Sequence, residues 1–204
     1  MMAGAALAVL LKTCASSVAP STMNAIVGVE SAGNPWALND NATGRSYAPR
    51  SYAEALNTAK NLITQGHSVD VGIAQVNSGN FAGYHVTPAA MLMPCQNLIV
   101  ASEILTNAYR WSYATYGEPH RALWGSISAY NTGSLTAGGR YVGLVVAAAQ
   151  VVPSVDLITG GYAALGGPSP APSGSPHPRP SPRVTASPKP FGTGQWHSQW
   201  PEPK

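Results

Sequence analysis

The stretch Asn24-Ala-Ile-Val-Gly-Val-Glu30, followed at once by Ser31-Ala-Gly-Asn-Pro35, decides how this chain is read. Met23, Ile26, Val27 and Glu30 recur at spacings of three and four, which places them on one helical face. Gly33-Asn34-Pro35 then breaks the chain. Glu30 therefore ends an apolar helix and faces a loop. A carboxyl group in such partly desolvated surroundings is pushed toward a neutral pKa. Charged residues make up only 9% of the 204 residues, so each carboxylate carries weight. Glu30 stands out because most of the other carboxylates before residue 166 sit where a surface or capping role suffices. On this feature alone, a carboxylate marking a frayed helix end is the plainer reading.

Outward from that stretch the chain reads as mostly helical. Ala3–Cys14 is rich in Ala and Leu and forms a first helix. Residues 39–49 are polar and full of turn formers. Ser51-Tyr52-Ala53-Glu54 is a capping box, with Ser at the N-cap and Glu three residues on. It opens a helix that Gly66 is placed to end. Val69–Phe81 has β-branched residues, partial alternation and a central Gly, and reads as a short β or irregular segment. Thr87-Pro88 opens a short helix, with Pro at its first position. The longest helix runs from about Cys95 to Tyr116, with Leu98, Ala101, Leu105, Ala108 and Ser112 on one face. A further helix covers Arg121–Tyr130 and is interrupted by Asn131-Thr132-Gly133. The last covers Arg140–Val151.

The net charge of +3 and the 18 prolines are unevenly placed. Residues 166–204 hold four basic side chains, one acidic side chain and 11 prolines, whereas residues 1–165 are formally neutral. The basic character belongs to a tail that is expected to be disordered, with polyproline II character. A body without a Lys/Arg face argues against a nucleic-acid partner. No apolar run reaches the ~20 residues that a bilayer span requires. Met1–Leu11 reads as part of the first helix, with a cleaved signal as the alternative. Cys14 and Cys95 are the only cysteines, and no Cys/His cluster has metal spacing. A disulfide in an oxidising compartment and two buried thiols both remain open at this point. No metal or cofactor is expected.

Three further segments place amide and aromatic side chains near helix breaks: Gly72-Ile-Ala-Gln-Val-Asn77, Ala129-Tyr-Asn-Thr-Gly133 and Arg140-Tyr-Val142. Such groups suit a sugar-binding groove. Taken in order with Glu30-Ser31, they resemble the lysozyme-like lytic transglycosylase family, and specifically the subgroup that accompanies type IV secretion and conjugation systems. Cys14-Ala15, Val18-Ala19-Pro20, Val69-Asp-Val-Gly72 and Pro94-Cys-Gln-Asn-Leu98 strengthen the likeness to that subgroup. The resemblance covers roughly Leu7 to Val151. Ala74 stands where the family usually has Met, and the stretch between Gly133 and Tyr141 is shorter than in many relatives.

The resemblance implies a mainly α, lysozyme-like domain over residues 3–160, followed by the Pro-rich tail over 166–204. It implies that Glu30 is a single catalytic acid/base and that Ser31 helps to orient it. Gln75 is implied to bind substrate near the scissile bond, and Tyr130 and Asn131 to line the groove. Tyr141 is implied to position Glu30 or the sugar. Cys14 and Cys95 are implied to form a disulfide, which points to the periplasm. The implied substrate is the peptidoglycan glycan strand, cut between N-acetylmuramic acid and N-acetylglucosamine with a 1,6-anhydro product. The implied partners are components of a type IV secretion apparatus. Two alternatives stand beside this reading: a hydrolytic muramidase on the same scaffold, and a non-catalytic wall-binding assembly factor. Asp70 is the one nearby candidate for the second carboxylate that hydrolysis would need. Its plainer role is to hold backbone amides at the start of the loop.

Overall fold

A computed structural model describes residues 4–151. The outer residues of the expected domain (3 and 152–160) and the expected tail over 166–204 lie outside the described residues. Seven α-helices and one small antiparallel sheet make up the described part.

Helix α1 (Gly4–Cys14) packs on α2 (Pro20–Ser31) and on the long α5 (Pro94–Tyr116). Helix α2 begins three residues earlier than its apolar spacing suggests. Pro20 takes the first helical position, where its missing N–H leaves no bond unmade. The described residues place Cys14 and Cys95 in a disulfide with Cα atoms 5.3 Å apart. The bond fastens the last residue of α1 to the first turn of α5.

The polar stretch after Pro35 is a hairpin rather than a run of turns. Strands β1 (Leu38–Asp40) and β2 (Arg45–Tyr47) pair antiparallel around a four-residue turn. The Asp40 carboxylate builds that turn. It accepts from the Ala42 N–H at 3.0 Å, from the Thr43 hydroxyl at 2.6 Å and from His67 Nδ1 at 3.1 Å. Turn-forming residues thus occupy the middle of the stretch, and short strands flank them. Helix α3 (Tyr52–Thr64) starts at the Ser51 cap, whose Oγ accepts from the Glu54 N–H. The returning Glu54 carboxylate accepts from the Arg50 N–H, one residue before the cap. Strands β3 (Val69–Val71) and β4 (Val76–Asn77) follow and complete the sheet in the order β2-β1-β3-β4.

Thr87 caps the short α4 (Pro88–Met91), and α5 then runs through the core. Leu98, Ala101, Leu105, Ala108 and Ser112 are all buried on one face of α5. Helix α6 (Pro119–Thr132) lies against it. A Cβ on Gly125 would stand 2.2 Å from Ser112 Oγ, so this glycine permits the close approach of the two helices. Helix α6 is longer than expected at both ends. Glu118 caps its start by accepting from the N–H groups of His120 and Arg121 at 2.8 and 2.7 Å. Asn131 and Thr132 continue the helix, and Gly133, in the left-handed region, ends it. Helix α7 (Gly139–Val151) then returns to pack on α2.

Candidate active site

Helix α2 delivers Glu30 one residue before its end. Met23, Ile26 and Val27 are buried on the preceding turns, and Ala32 and Gly33 reverse the chain with positive φ. The Glu30 side chain is half-buried. Its Oε1 accepts a short hydrogen bond from the hydroxyl of Tyr141, near the start of α7. Burial is the largest influence on this carboxyl, the Tyr141 bond opposes it, and the negative charge of Asp70 adds to it. Together they push the pKa up to about 8. Glu30 is therefore mostly protonated at neutral pH. With Oε1 accepting from Tyr141, Oε2 is the oxygen that carries the transferable proton.

A second piece of the site is the turn from Gly72 to Gln75, between β3 and β4. Gly72 has φ +85, and a Cβ there would stand 2.3 Å from Met91 O and 2.5 Å from Asn97 Nδ2. Only glycine fits. The Ser31 hydroxyl donates to Ile73 O at 2.6 Å, and Ser31 Oγ accepts from the Gly33 N–H. Ser31 thus ties the end of α2 to the turn, and among the described residues its hydroxyl bonds to backbone groups rather than to the Glu30 carboxylate. Tyr130 on α6 donates to Ala74 O at 2.7 Å. Burial and the nearby Glu30 and Asp70 hold its phenol well above the usual range, so it stays neutral.

Gln75 has φ +51, a strained conformation for a residue with a side chain. Its amide nitrogen donates to Ala37 O at 2.9 Å and to Gly72 O at 2.7 Å. Both partners are carbonyls, which fixes the orientation of the amide. Both N–H groups are taken, and the carbonyl oxygen remains as an acceptor. Asn131 is half-buried on α6 and makes no side-chain hydrogen bond among the described residues. Trp36 is half-buried and packs against the core.

Asp70 corrects one expectation. It holds side-chain amides, not backbone amides. Its Oδ2 accepts from Asn41 Nδ2 at 2.8 Å and from Asn39 Nδ2 at 3.3 Å, and its Oδ1 accepts from Asn77 Nδ2 at 2.7 Å. Sheet pairing brings these donors together, and local spacing does not reveal them.

Asn97 is a residue that sequence reasoning quoted but gave no role. It is fully buried at the start of α5. Its Nδ2 donates to Val71 O and Met91 O, both at 2.8 Å, and its Oδ1 accepts from the Ala74 N–H at 2.9 Å. It pins the Gly72–Gln75 turn from beneath. Its signal is its phase: Asn97 lies four residues before Ala101 and eight before Leu105, on the core-facing stripe. A buried amide there demands partners.

An apolar groove of about 400 Å³ between α6 and α7, lined by Trp124, Leu135, Val142 and Val146 among others, contains none of Glu30, Ser31, Gln75, Tyr130, Asn131 and Tyr141. Among the described residues, no group of three or more His, Cys, Asp or Glu side chains is placed to hold a metal ion. Among the same residues, no helix is long and apolar enough to cross a membrane.

Chemically, the site offers a neutral carboxylic acid backed by a tyrosine, beside a turn that carries the Gln75 amide. That arrangement can protonate a leaving oxygen and later take a proton back. Residues 9–140 match the family model described as transglycosylase SLT domain. The chain is 41% identical over 145 residues to Protein virB1 of Agrobacterium fabrum, which covers 70% of this chain and 59% of that protein. It is 40% identical over 151 residues to type IV secretion system protein virB1 of Brucella abortus biovar 1, covering 70% and 63%. The chain therefore spans about three fifths of the length of these curated relatives. No solved structure matches the chain significantly.

Proposed function

The chain belongs to the transglycosylase SLT family, whose domain is lysozyme-like, and we propose that it is a lytic transglycosylase acting on peptidoglycan. The observation that carries this reading is the Glu30–Tyr141 pair at the end of α2, with a carboxyl pKa of about 8. The catalytic unit is the domain over residues 3–160, and the basic segment over 166–204 is an appendage to it.

In this reading Glu30 protonates the oxygen that links N-acetylmuramic acid to N-acetylglucosamine. The C1–O bond breaks and positive charge builds at C1 of the muramic acid. The 6-hydroxyl of the same sugar attacks C1, and the Glu30 carboxylate takes its proton. A 1,6-anhydro ring forms, no water is consumed, and Glu30 ends protonated as it began. One residue with a pKa near neutrality serves both steps. Gln75 contributes an acceptor oxygen, which suits an acetamido N–H or a sugar hydroxyl. Asn131 offers a donor and an acceptor on the α6 side, and the Tyr130 ring forms part of the wall. Ser31 and Tyr130 act by holding the turn that carries Gln75.

Hydrolysis would require a second carboxylate to attack C1 or to activate water. Both oxygens of Asp70 already accept amide bonds, which favours the internal hydroxyl as the attacking group. The relatives named for type IV secretion support a role in opening the wall locally for such an apparatus. The disulfide supports a periplasmic site. Purified protein and its Glu30→Gln variant, incubated with purified peptidoglycan, test the reading. Release of soluble fragments by the first and not by the second is expected. Equal release by both would refute the assignment of Glu30, and release by neither would favour a wall-binding assembly factor.

A further inference from the structure

The groove between α6 and α7 is walled by Tyr116 of α5, by Trp124 of α6, and by Val142, Gly143 and Val146 of α7. It stays open because α7 presents glycines to it. Gly139 and Gly143 stand about one helical turn apart, and both line the groove. A Cβ built on either would meet nothing within 4 Å, so no side chain fills that side. Trp124 remains 54% exposed. Single apolar side chains on a surface are ordinary, but an exposed tryptophan joined to an apolar groove marks a place where something binds.

The polar groups of the groove narrow the choice of occupant. Ser128 Oγ donates to Ser134 O and accepts from the Gly138 N–H, so it is engaged within the α6–α7 connection. The Thr136 hydroxyl is shared with that of Ser134. What remains is the Trp124 indole N–H, which has no hydrogen bond among the described residues, and the Arg121 guanidinium, which lies over the Tyr116 ring at 5.1 Å. Both groups are donors only. A sugar, with a hydroxyl on most carbons, is poorly served by apolar walls and donors alone. An extended proline-rich segment is the complementary ligand. It offers carbonyl acceptors, few N–H groups, and rings that pack on aromatic side chains.

This chain carries such a segment, and attaches it to a wall of the groove. Helix α7 ends at Val151, and residues 152–204 follow it. Gly167-Pro-Ser-Pro-Ala-Pro-Ser-Gly-Ser-Pro176 has no charged side chain, so Arg121 does not repel it as it would the basic stretch beyond. With three residues per polyproline II turn, Pro168, Pro170 and Pro172 fall on three faces, and every orientation presents a ring. Arg121 to Ser128 covers about 10 Å of α6, the length of roughly three residues in that conformation. Val151 lies about 8 Å beyond Val146 along α7, and the residues from Val151 to Pro168 span up to about 55 Å when extended. The tether therefore reaches with slack, and it holds the segment at an effective concentration on the order of mM. We propose that the α6–α7 groove is the docking site of this chain's own Pro-rich segment, residues 167–176, with a proline ring on Trp124 and backbone carbonyls on the Trp124 indole N–H and Arg121. Glu30, Gln75 and Tyr141 do not line the groove, so the docked segment does not occupy the candidate active site.

A nitroxide placed in the segment tests the proposal. Cys14 and Cys95 are joined to each other, so Ser173→Cys in the full chain gives one thiol for the label. In the isotope-labelled protein, paramagnetic broadening should be several-fold stronger at the Trp124 indole N–H and the Gly143 and Val146 amides than at the amides of α3, which packs on the sheet. Gly143→Leu fills the groove where a Cβ meets open space, and it replaces a poor helix former with a good one. It should bring the groove signals down to the level at α3. Broadening no stronger at the groove than at α3, or broadening that survives Gly143→Leu, would overturn the proposal. If that variant fails to fold, Pro168→Ala, Pro170→Ala and Pro172→Ala together decide in the same way, because they alter none of the described residues. Isotope-labelled chains without nitroxide, mixed with nitroxide-bearing chains without isotope, should show no broadening at the groove. Broadening there as strong as within one chain would mean that the groove takes a second copy, and would also overturn the proposal. The readout does not depend on cleavage of peptidoglycan, so failure of the transglycosylase reading and failure of this proposal are separate results.

Discussion

The hydroxyl of Tyr141 donates to Oε1 of Glu30, joining two residues 111 positions apart in the chain. The bond favours the ionised carboxylate, while burial and the charge of Asp70 favour the acid. Burial is the larger effect, so Glu30 stays an acid up to about pH 8.

Tyr141→Phe removes the donor and keeps the buried ring. The pKa of Glu30 should rise above its present value of about 8. The alkaline limb of the pH–rate profile should move up with it. The rate at neutral pH should fall about 10- to 100-fold, because the carboxyl loses its fixed orientation. A limb that moves toward acid would contradict the role given to Tyr141.

Glu30→Gln should stabilise the protein at alkaline pH. The folded-state pKa is raised from 4.5 to about 8, so the native state binds more protons than the unfolded one between those values. Stability from this group is fully present below the unfolded pKa and declines as pH rises through the folded one. The variant lacks that decline. Urea unfolding at pH 5 and pH 9 should show little difference at the first pH and a gain on the order of a few kcal/mol at the second. Equal stabilities at pH 9 would argue against a desolvated Glu30.

Gly72→Ala should be severely destabilising. The new Cβ meets a backbone carbonyl at 2.3 Å and the buried Asn97 amide at 2.5 Å, at a φ of +85. Neither neighbour has room to move, since Asn97 makes three bonds within the core. A loss above about 4 kcal/mol, or failure to fold, is expected in chemical denaturation.

The Cys14–Cys95 bond closes a loop with a sequence separation of 81. Restricting the unfolded chain over that length contributes up to about 4–5 kcal/mol. Replacing both cysteines by Ala should lower the urea midpoint accordingly. An unchanged midpoint would leave the bond without a stabilising role.

The parts of the fold that were legible in the sequence are those fixed by local chemistry. The buried stripe of α5, the Ser51 cap and the Pro88 helix start each depend on residues within a few turns of one another. Glu30 was visible for the same reason, as a carboxylate at the end of an apolar helix. The β1–β2 hairpin was hidden because its strands are three residues long and one face is polar. Their polar residues resemble turn formers until the register shows them lying side by side. The amide bonds that Asp70 accepts depend on that same register. The pairing of Tyr141 with Glu30 depends on how α7 packs on α2, so the residues alone gave no path to it, and only the family resemblance suggested it. Asn97 was readable in principle, as a polar residue in phase with a core stripe.

In the proposed reaction Glu30 alone shuttles the proton, so that the sugar closes on itself and water takes no part. Mass spectrometry of the fragments released from purified peptidoglycan tests it most directly. The wild type should yield 1,6-anhydro-muramyl ends, and Glu30→Gln should yield none. Reducing muramic acid ends from the wild type, or anhydro ends from Glu30→Gln at the wild-type rate, would contradict it.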